Sequence, residues 1–564
     1  MNKGDDKLYI LIISVHGLIR ANGLELGRDA DTGGQTKYVV ELARSLGEHP
    51  NVARVDLITQ RLEDPNLDDD YAQATEKLSD HAQIVRIDCG EPSYVPKEEL
   101  WDELDIFADN ILDYIRRQPE APDLIHSHYA DSGYVASRFS QLLDIPLVHT
   151  GHSLGRVKYR RLLASGLKPA DIEKSYNMSR RIDAEEDTLG VADLVITSTH
   201  QEIEEQYGLY DFYQPEHMRV IPPGTDLKYF FPTKGDERQE GIYQQLVRFL
   251  NEPEKPIILA LSRPDQRKNI VALVEAYGES PRLQKLANLV VVAGNRDDIR
   301  ELDEGAQQVL SDLLITIDSY DLYGKVAYPK HHNPDDVSIL YRLAALSKGV
   351  FVNPALTEPF GLTLIEAAAC GLPIVATEDG GPGDIIGNCK NGFLIDPLDK
   401  KEIANTLCKV LKDGDRWLRL AKNGIEGVKK HYSWPAHVDK YLAAIKPLIE
   451  TRTSVPRVKM SRRPKMYHDR AVFSDLDQNL LAMPEALVTF IKVIQANRKC
   501  ATFGIATGRR LDSVLKELKR HKIPTVGTCT LKGARSLLLL AVPMSLLQLR
   551  GLDCKRGGGG RQRR

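Results

Sequence analysis

Glu358 and Glu366 bracket the run Pro359-Phe360-Gly361-Leu362-Thr363-Leu364-Ile365, which reads as a loop turning into a helix. Phe360-Gly361 makes the tight corner, and the helix from Leu362 is stopped by Gly371 ahead of Pro373. Glu366 then stands on the first turns and Glu358 on the loop before them. Two acids so placed can hydrogen-bond hydroxyls on two different sugar rings, with an anion-ready helix start between them. A simpler role for Glu366, an acid favoured by the helix dipole, leaves the Phe-Gly corner and the cations upstream without a purpose. Those cations are Arg263 and Lys268, in the stretch Ser262-Arg263-Pro264-Asp265-Gln266-Arg267-Lys268-Asn269 that follows an apolar run at 256–261. At the end of a strand they can offer a diphosphate a forked guanidinium and an ammonium together. Taken alone, the pair reads more simply as a solvated charged loop.

Asp31-Thr32-Gly33-Gly34-Gln35-Thr36 precedes a helical pattern, Val39, Leu42, Ala43 and Leu46, that places a helix start near Gln35. Paired glycines there let backbone N–H groups approach an anion at the helix N-terminus. A plain turn explains them equally well, and the motif is weaker than GxGxxG. No Ser-His-Asp or Cys-His arrangement is visible, and no carboxylate is placed as a covalent nucleophile.

These residues need strands and helices to carry them. Apolar runs expected as strands fall at 8–15, 55–59, 84–88, 123–126, 146–150, 193–197 and 219–221. A second set falls at 256–261, 289–293, 325–327, 349–353, 373–376 and 392–395, and helical patterns alternate with both sets. The fold class this predicts is α/β, with two doubly wound parallel-sheet domains of Rossmann type, residues 1–235 and 236–450. Ligands in such sheets sit at the carboxyl ends of strands. The chemistry is therefore expected in a cleft between two facing sheets, with a hinge near 232–256 and 432–450. Residues 451–470 carry seven Lys or Arg, one Asp and two prolines without periodicity and read as a basic linker. A further strand–helix pattern occupies 471–526, and 527–564 is an irregular, leucine-clustered tail ending in glycines and arginines.

Composition closes off several function classes. The 564 residues are 42% hydrophobic and 27% charged, which excludes collagen-like and mainly disordered chains. Seven cysteines stand singly, without a CxxC, which argues for a reducing compartment, the cytoplasm, and against a zinc site. The longest apolar run, 537–547, is broken by Pro543 and too short to span a bilayer, so no membrane partner is expected. Asp5 and Asp6 precede the first apolar run, where a secretory signal would be basic. The net charge of −4 hides a body of −21 over 1–450 and a C-terminal part of +17. That basic part has neither aromatic interleaving nor a zinc or RNP-type motif, and reads as linker rather than as a nucleic-acid surface.

Taken together, five motifs resemble the sucrose-phosphate synthase family, GT-B retaining glycosyltransferases of family 4, over nearly all of 7–450. They are Gly33-Gly34-Gln35-Thr36-Lys37-Tyr38-Val39-Val40-Glu41-Leu42-Ala43, Thr150-Gly151-His152-Ser153-Leu154-Gly155, Arg180-Arg181-Ile182-Asp183-Ala184-Glu185-Glu186, Ala327-Tyr328-Pro329-Lys330-His331-His332 and the 358–366 run. The resemblance implies transfer of glucose from an NDP-glucose, UDP-glucose foremost, to fructose 6-phosphate with retention at the anomeric centre. It implies that Arg263 and Lys268 bind the departing diphosphate, Glu366 the ribose and Glu358 the glucose hydroxyls. The backbone around Phe360, Gly361, Leu362 and Thr363 would approach glucose and phosphates, with Gly33 and Gly34 closing from the other domain and His152 touching the donor glucose. Gln35, Lys97, Ser153, Lys158 and one of Arg180 and Arg181 would hold the acceptor phosphate. Two cations and a helix N-terminus can stabilise the leaving group, so no cofactor or metal is required for transfer. The last helix, 433–450, is expected to cross back to the first domain. A sucrose synthase-like enzyme with an unphosphorylated acceptor, or a non-catalytic sugar-nucleotide-binding partner subunit, is the alternative.

Beyond the linker, Phe473-Ser474-Asp475-Leu476-Asp477 and Ala506-Thr507-Gly508-Arg509 resemble the start of a HAD-type sucrose-phosphate phosphatase. The resemblance implies Asp475 as phosphoryl-accepting nucleophile, Asp477 as acid–base and Thr507 as phosphate contact, with Mg2+ needed only if that site worked. Asn479 departs from the usual Thr or Val, and the resemblance is lost from about Cys529, before the lysine and magnesium-binding acidic motifs of that class would be expected. Residues 471–526 are therefore expected to be an incomplete, inactive fragment, leaving a separate sucrose-phosphate phosphatase as a partner.

Overall fold

The computed structural model describes residues 7–25, 28–29 and 31–450. Beyond them it describes 471–474, 481, 487, 489–490, 493, 502–506, 516–517, 520, 527–529 and 537–540. The chain divides into two compact units. One comprises the residues up to Ile196, Leu209–Met218 and the chain from Ile445; the other comprises Thr197–Gly208 and Arg219–Ala444.

The first sheet contains β1 (Leu8–Ile13), β2 (Val52–Gln60), β3 (Thr75–Lys77), β4 (Ala82–Ile87), β5 (Leu124–His128), β6 (Leu147–Thr150), β7 (Leu194–Thr197) and β8 (Met218–Val220). Its order is β3-β4-β2-β1-β5-β6-β7-β8. Strands β4, β2, β1, β5, β6 and β7 pair in parallel, and β3 runs antiparallel to β4. A central parallel strand is buried on both faces and must read as a continuous apolar run. β1, Leu-Tyr-Ile-Leu-Ile-Ile, does so, with Ile10 to Ile13 fully buried. The winding reverses between β1 and β5, so ligand-facing groups belong at the carboxyl ends of those strands.

The other unit repeats this logic with β9 (Ile257–Ser262), β10 (Asn288–Ala293), β11 (Val326–Ala327), β12 (Val350–Asn353), β13 (Ile374–Thr377) and β14 (Gly392–Ile395). All pair in parallel, in the order β11-β10-β9-β12-β13-β14, and the winding reverses between β9 and β12. Alternate residues divide between its two faces. Leu259, Val290, Phe351 and Ile374 pack in one apolar cluster, and Ile258, Val291, Val350 and Val375 in the other.

Each strand expected over 8–395 is present, with ends shifted by no more than three residues. β3 was not expected: Thr-Glu-Lys at a sheet edge has no apolar pattern to announce it. Farther on, β15 (Ala471–Ser474), β16 (Thr502–Ala506), β17 (Gly527–Cys529) and β18 (Leu537–Leu540) form a four-stranded sheet of order β15-β16-β18-β17. β17 and β18 lie in the stretch expected to be irregular: Gly-Thr-Cys is too short to announce a strand, and the unbroken leucine run of β18 carries no period-2 alternation. Among the described residues no helix is long and apolar enough to cross a membrane.

One fully buried carboxylate is built into the first sheet. Asp56, between Leu11 and Gln83 in register, is fully buried. It accepts hydrogen bonds from Tyr9 Oη (2.6 Å), Tyr114 Oη (2.8 Å), Arg54 Nε (3.0 Å) and Gln83 Nε2 (2.9 Å). Burial, and then the adjacent carboxylate, push both tyrosine hydroxyls above the ordinary phenol range. Asp56→Ala strands these donors and is expected to cost about 3–5 kcal/mol, read from urea unfolding. A cost below about 1 kcal/mol would show that the sheet does not depend on this carboxylate.

Candidate functional site

In the second unit β9 ends at Ser262 and hands the chain to Arg263, which is exposed and has no ion pair among the described residues. Asp265 caps the turn Gln266–Lys268, accepting the Arg267 amide (2.9 Å) and its guanidinium, which hold its carboxyl below the usual range. That turn directs Lys268 at Glu358, Nζ to Oε2 2.7 Å, and Asn353 Nδ2, from the end of β12, donates to the same oxygen at 2.8 Å. The two strands flanking the reversal thus supply the cation and its partners. Glu358 is only 9% exposed.

The Glu358 backbone is fixed as well. Its N–H donates to Asp379 O (3.1 Å), and its carbonyl accepts from the Gly381 N–H (2.9 Å). Gly380, at φ +104°, allows this approach: a Cβ there would lie 2.1 Å from Glu358 O. The loop is tied in turn to the Thr197–Gly208 segment. Gln201 Nε2 donates to Asp379 Oδ1 (3.1 Å), and the His200 N–H donates to Asp384 Oδ2 (3.4 Å). Gly361, also at positive φ, precedes the helix Leu362–Ala369, whose N-terminus has no side-chain cap and exposes Leu362 and part of Thr363. Glu366 stands in its second turn and accepts from Tyr341 Oη at 3.2 Å. Phe360 packs on the apolar core, its ring 6.2 Å from that of Tyr432, so its side chain is first a structural wedge.

In the first unit the carboxyl ends of β5 and β6 bring His128 and His152 together, Nδ1 to Nε2 2.9 Å, with the Tyr38 ring 5.2 Å from that of His152. His152 has φ +56° and Tyr129, just after β5, has φ +75°, left-handed conformations that store strain in non-glycine residues. Enclosure by protein, and then His149 and His16, lower the His152 pKa. The residue is nonetheless exposed to solvent, which weakens the enclosure effect. At the end of β1, His16 Nδ1 meets Asp131 Oδ2 at 2.5 Å. Gly33 and Gly34 open the helix Gly34–Gly47, and a Cβ on either would meet nothing within 4 Å. The protein itself leaves room at that helix start. Gln35 Nε2 donates to Ser14 Oγ at 3.3 Å.

The expected acceptor cations are partly gathered. Arg181 is buried, with Nε donating to Glu185 Oε1 (3.0 Å), one terminal nitrogen to Ser153 O (2.7 Å), and its guanidinium 4.5 Å from the Tyr129 ring centre. Glu185 also accepts from the Gly155 N–H and Tyr210 Oη, and burial outweighs these partners and raises its pKa. Arg180 goes elsewhere, to Asp102 Oδ1 (2.6 Å) and Trp101 O (3.2 Å), so only Arg181 joins Ser153. Lys97 is ion-paired with Asp31. Against burial, which raises it, bonds from Lys97 and Tyr94 hold the Asp31 carboxyl below its usual range. Lys158, on the helix Gly155–Ala164, lies 3.5 Å from Glu98 Oε1 and 4.0 Å from the Tyr176 ring centre. Burial lowers its pKa, Glu98 opposes this, and Arg181 and Lys97 add to it. Asp475, Asp477 and Thr507 lie outside the described residues.

Two reversal points carrying sugar- and phosphate-capable groups on two parallel sheets define a class, and comparison with known families agrees. The family described as Glycosyltransferase Family 4 matches residues 32–229, and Glycosyl transferases group 1 matches 244–427. The chain belongs to the glycosyltransferases of GT-B fold. Within them it is a homologue of the sucrose-phosphate synthases. It is 44% identical over 507 residues to sucrose-phosphate synthase 4 of Arabidopsis thaliana, covering 79% of this chain and 48% of that protein. It is 45% identical over 600 residues to a probable sucrose-phosphate synthase of Beta vulgaris, covering 95% and 55%. A solved sucrose-phosphate synthase of Thermosynechococcus elongatus matches with TM-score 0.59 and 29% identity, over 79% of this chain and 100% of that one. The chain spans about half the length of the curated relatives it matches.

Sequence reasoning missed His128, Asn353 and Glu98. His128 was within reach: the strand expected at 123–126 extends two residues further, to His128, and strand ends face the ligand crevice. Nothing local marked Asn353 or Glu98, whose partners are fixed only by tertiary structure.

His149, fully buried on β6 and bonded to Ser127 Oγ at 2.9 Å, makes acid stability testable. Burial pushes its pKa from 6.5 down to about 4. Between those values the unfolded chain binds more protons than the folded one, so stability is full above the unfolded pKa and falls as pH drops. About 2 kcal/mol should be lost near pH 5, measured by urea unfolding against a neutral control. His149→Asn, which can keep the Ser127 bond, should flatten that slope; an unaltered slope would clear His149 of responsibility.

Proposed function

We propose that the chain is a sucrose-phosphate synthase, moving glucose from an NDP-glucose, UDP-glucose by preference, to fructose 6-phosphate with retention. The observation that carries this reading is Lys158, a half-buried ammonium close to Lys97 and Arg181, in a chain whose relatives bear that name. A free hexose acceptor would not need it; a phosphorylated one does.

On this reading the second unit binds the donor. Arg263 and Lys268 take the diphosphate, Glu358 and Glu366 hydrogen-bond hydroxyls of glucose and ribose, and the backbone at 361–363 approaches the phosphates. Lys268 is bonded to Glu358, so the diphosphate would share a cation that is already aimed. The bond from the anomeric carbon to the diphosphate oxygen breaks while the acceptor hydroxyl adds to the same face, and the leaving oxygen takes the acceptor's proton. Negative charge grows on that oxygen, where the guanidinium and ammonium stabilise it, so we assign no step to a metal or cofactor. In the first unit His152 contacts the donor glucose as a neutral imidazole, with Gly33 and Gly34 at the donor. Gln35, Lys97, Ser153, Lys158 and Arg181 serve the acceptor phosphate. The 471–526 segment is assigned no phosphatase activity, and a separate phosphatase would remove the phosphate. Cys89, Cys370, Cys389 and Cys408 are free thiols, in keeping with a cytoplasmic enzyme.

The test is turnover of several NDP-glucoses with fructose 6-phosphate and with fructose. Lys158→Ala is expected to raise KM for fructose 6-phosphate roughly tenfold or more while leaving any use of fructose unchanged. Arg263→Ala should lower kcat on the order of 100-fold. Equal use of both acceptors would favour a sucrose synthase-like enzyme, and UDP binding without transfer to any hexose phosphate would favour a partner subunit.

A further inference from the structure

The acceptor reading leaves one carboxylate unexplained. Glu98 Oε1 lies 3.5 Å from Lys158 Nζ and 3.7 Å from Lys97 Nζ, among the cations proposed for the phosphate. Three cations, Lys97, Lys158 and Arg181, are matched there by three carboxylates, Asp31, Glu98 and Glu185. As it stands the cluster is neutral. A phosphate monoester carries nearly two negative charges at neutral pH and gains little from cations that are already paired. One carboxylate has to yield.

Two of them are anchored. Asp31 accepts the Lys97 ammonium, the Lys97 N–H (3.0 Å) and Tyr94 Oη (2.8 Å), and its side chain is 4% exposed. Glu185 is sealed in the interior by Arg181, the Gly155 N–H and Tyr210. Glu98 differs from both. Its side chain is 24% exposed, and the two ammoniums are its only ion-pair partners among the described residues, both beyond good hydrogen-bond distance. Its place in the chain is kept by the backbone instead, where Asn177 Nδ2 donates to Glu98 O at 2.5 Å. The side chain can therefore rotate away while the main chain stays.

We propose that Glu98 is a specificity-determining residue, an internal carboxylate that stands in the acceptor-phosphate position and gives way to it. This rests on the acceptor reading and deepens it. With the site empty, Glu98 keeps two lysines oriented and their mutual repulsion offset. A phosphorylated acceptor displaces it, leaving the cluster with a net positive charge. An uncharged sugar has nothing to exchange for it. Glu98 thus sets a threshold that only a dianion crosses, at a cost in affinity.

The test is calorimetric titration of inorganic phosphate and of fructose 6-phosphate into the full chain and its variants. Glu98→Gln keeps the shape and the backbone anchor without the charge. It should lower the dissociation constant for both ligands roughly fivefold, the weight of one unit charge near 4 Å in a water-like medium. Glu98→Ala, a second neutral variant should the first fold poorly, is expected to tighten the same ligands. Glu98→Asp, still charged, should bind phosphate no more tightly than the wild type. If neither neutral variant gains affinity for inorganic phosphate, or if Glu98→Asp gains as much as they do, the assignment is overturned. If the neutral variants gain affinity for phosphate but no protein binds fructose 6-phosphate, Glu98 keeps its role as a competing anion and the acceptor reading falls.

Discussion

In a parallel sheet every strand ends on the same edge, and a doubly wound sheet reverses its order at one place. That constraint decides where chemistry can sit in each unit. At the β1/β5 reversal the strand ends present Ser14, His16 and His128; at the β9/β12 reversal they present Ser262, Arg263 and Asn353. The loops that follow only refine the aim. The turn Gln266–Lys268 carries an ammonium to Glu358, and the Gly380 bridge holds that carboxylate's backbone where the ammonium arrives. Most of these residues are far apart in sequence, yet the register of a few short strands leaves them little freedom to be anywhere else.

The charges follow a second rule. Removing an ion from water is expensive, so most buried ions among the described residues are paired and held by several hydrogen bonds, while Arg296 donates to the carbonyls of Tyr328 and Pro329. Asp56 and Glu185 each take at least three donors, and both are parts of the scaffold. Near the phosphate-capable groups the pairing is mixed: Arg263 is exposed and Lys158 has one carboxylate at 3.5 Å among the described residues, whereas Lys268, Lys97 and Arg181 are closely paired with Glu358, Asp31 and Glu185.

Much of this was legible beforehand. The apolar runs that became β1 to β14 stood out because parallel strands buried on both faces leave an unbroken signature, and only the polar edge strand β3 escaped. The 358–366 corner was readable because glycine, the acids and a helix start occur within one short stretch. What resisted reading were relationships across the chain. Arg180 and Arg181 are neighbours in sequence, but a helix turns about 100° per residue, and they serve different partners. Phe360 is half-buried against the apolar core beside Tyr432, a packing partner far downstream that the local sequence does not announce. Glu98 gave no signal because its meaning depends on lysines and an arginine brought together only by folding.

The membership of Thr197–Gly208 has a consequence for how the molecule is made. The chain on either side of this short segment belongs to the first unit, while the segment itself belongs to the second. As the protein leaves the ribosome, Gln201 emerges long before Asp379, its bonding partner 178 residues later, and His200 precedes Asp384 by 184. The segment's bonds to that loop can therefore form only after most of the unit it completes has been made. The two halves are not cassettes that a single crossover could exchange: a chimaera joined after Gly208 would pair a foreign segment with the loop that holds Glu358, and would have to evolve that handshake anew.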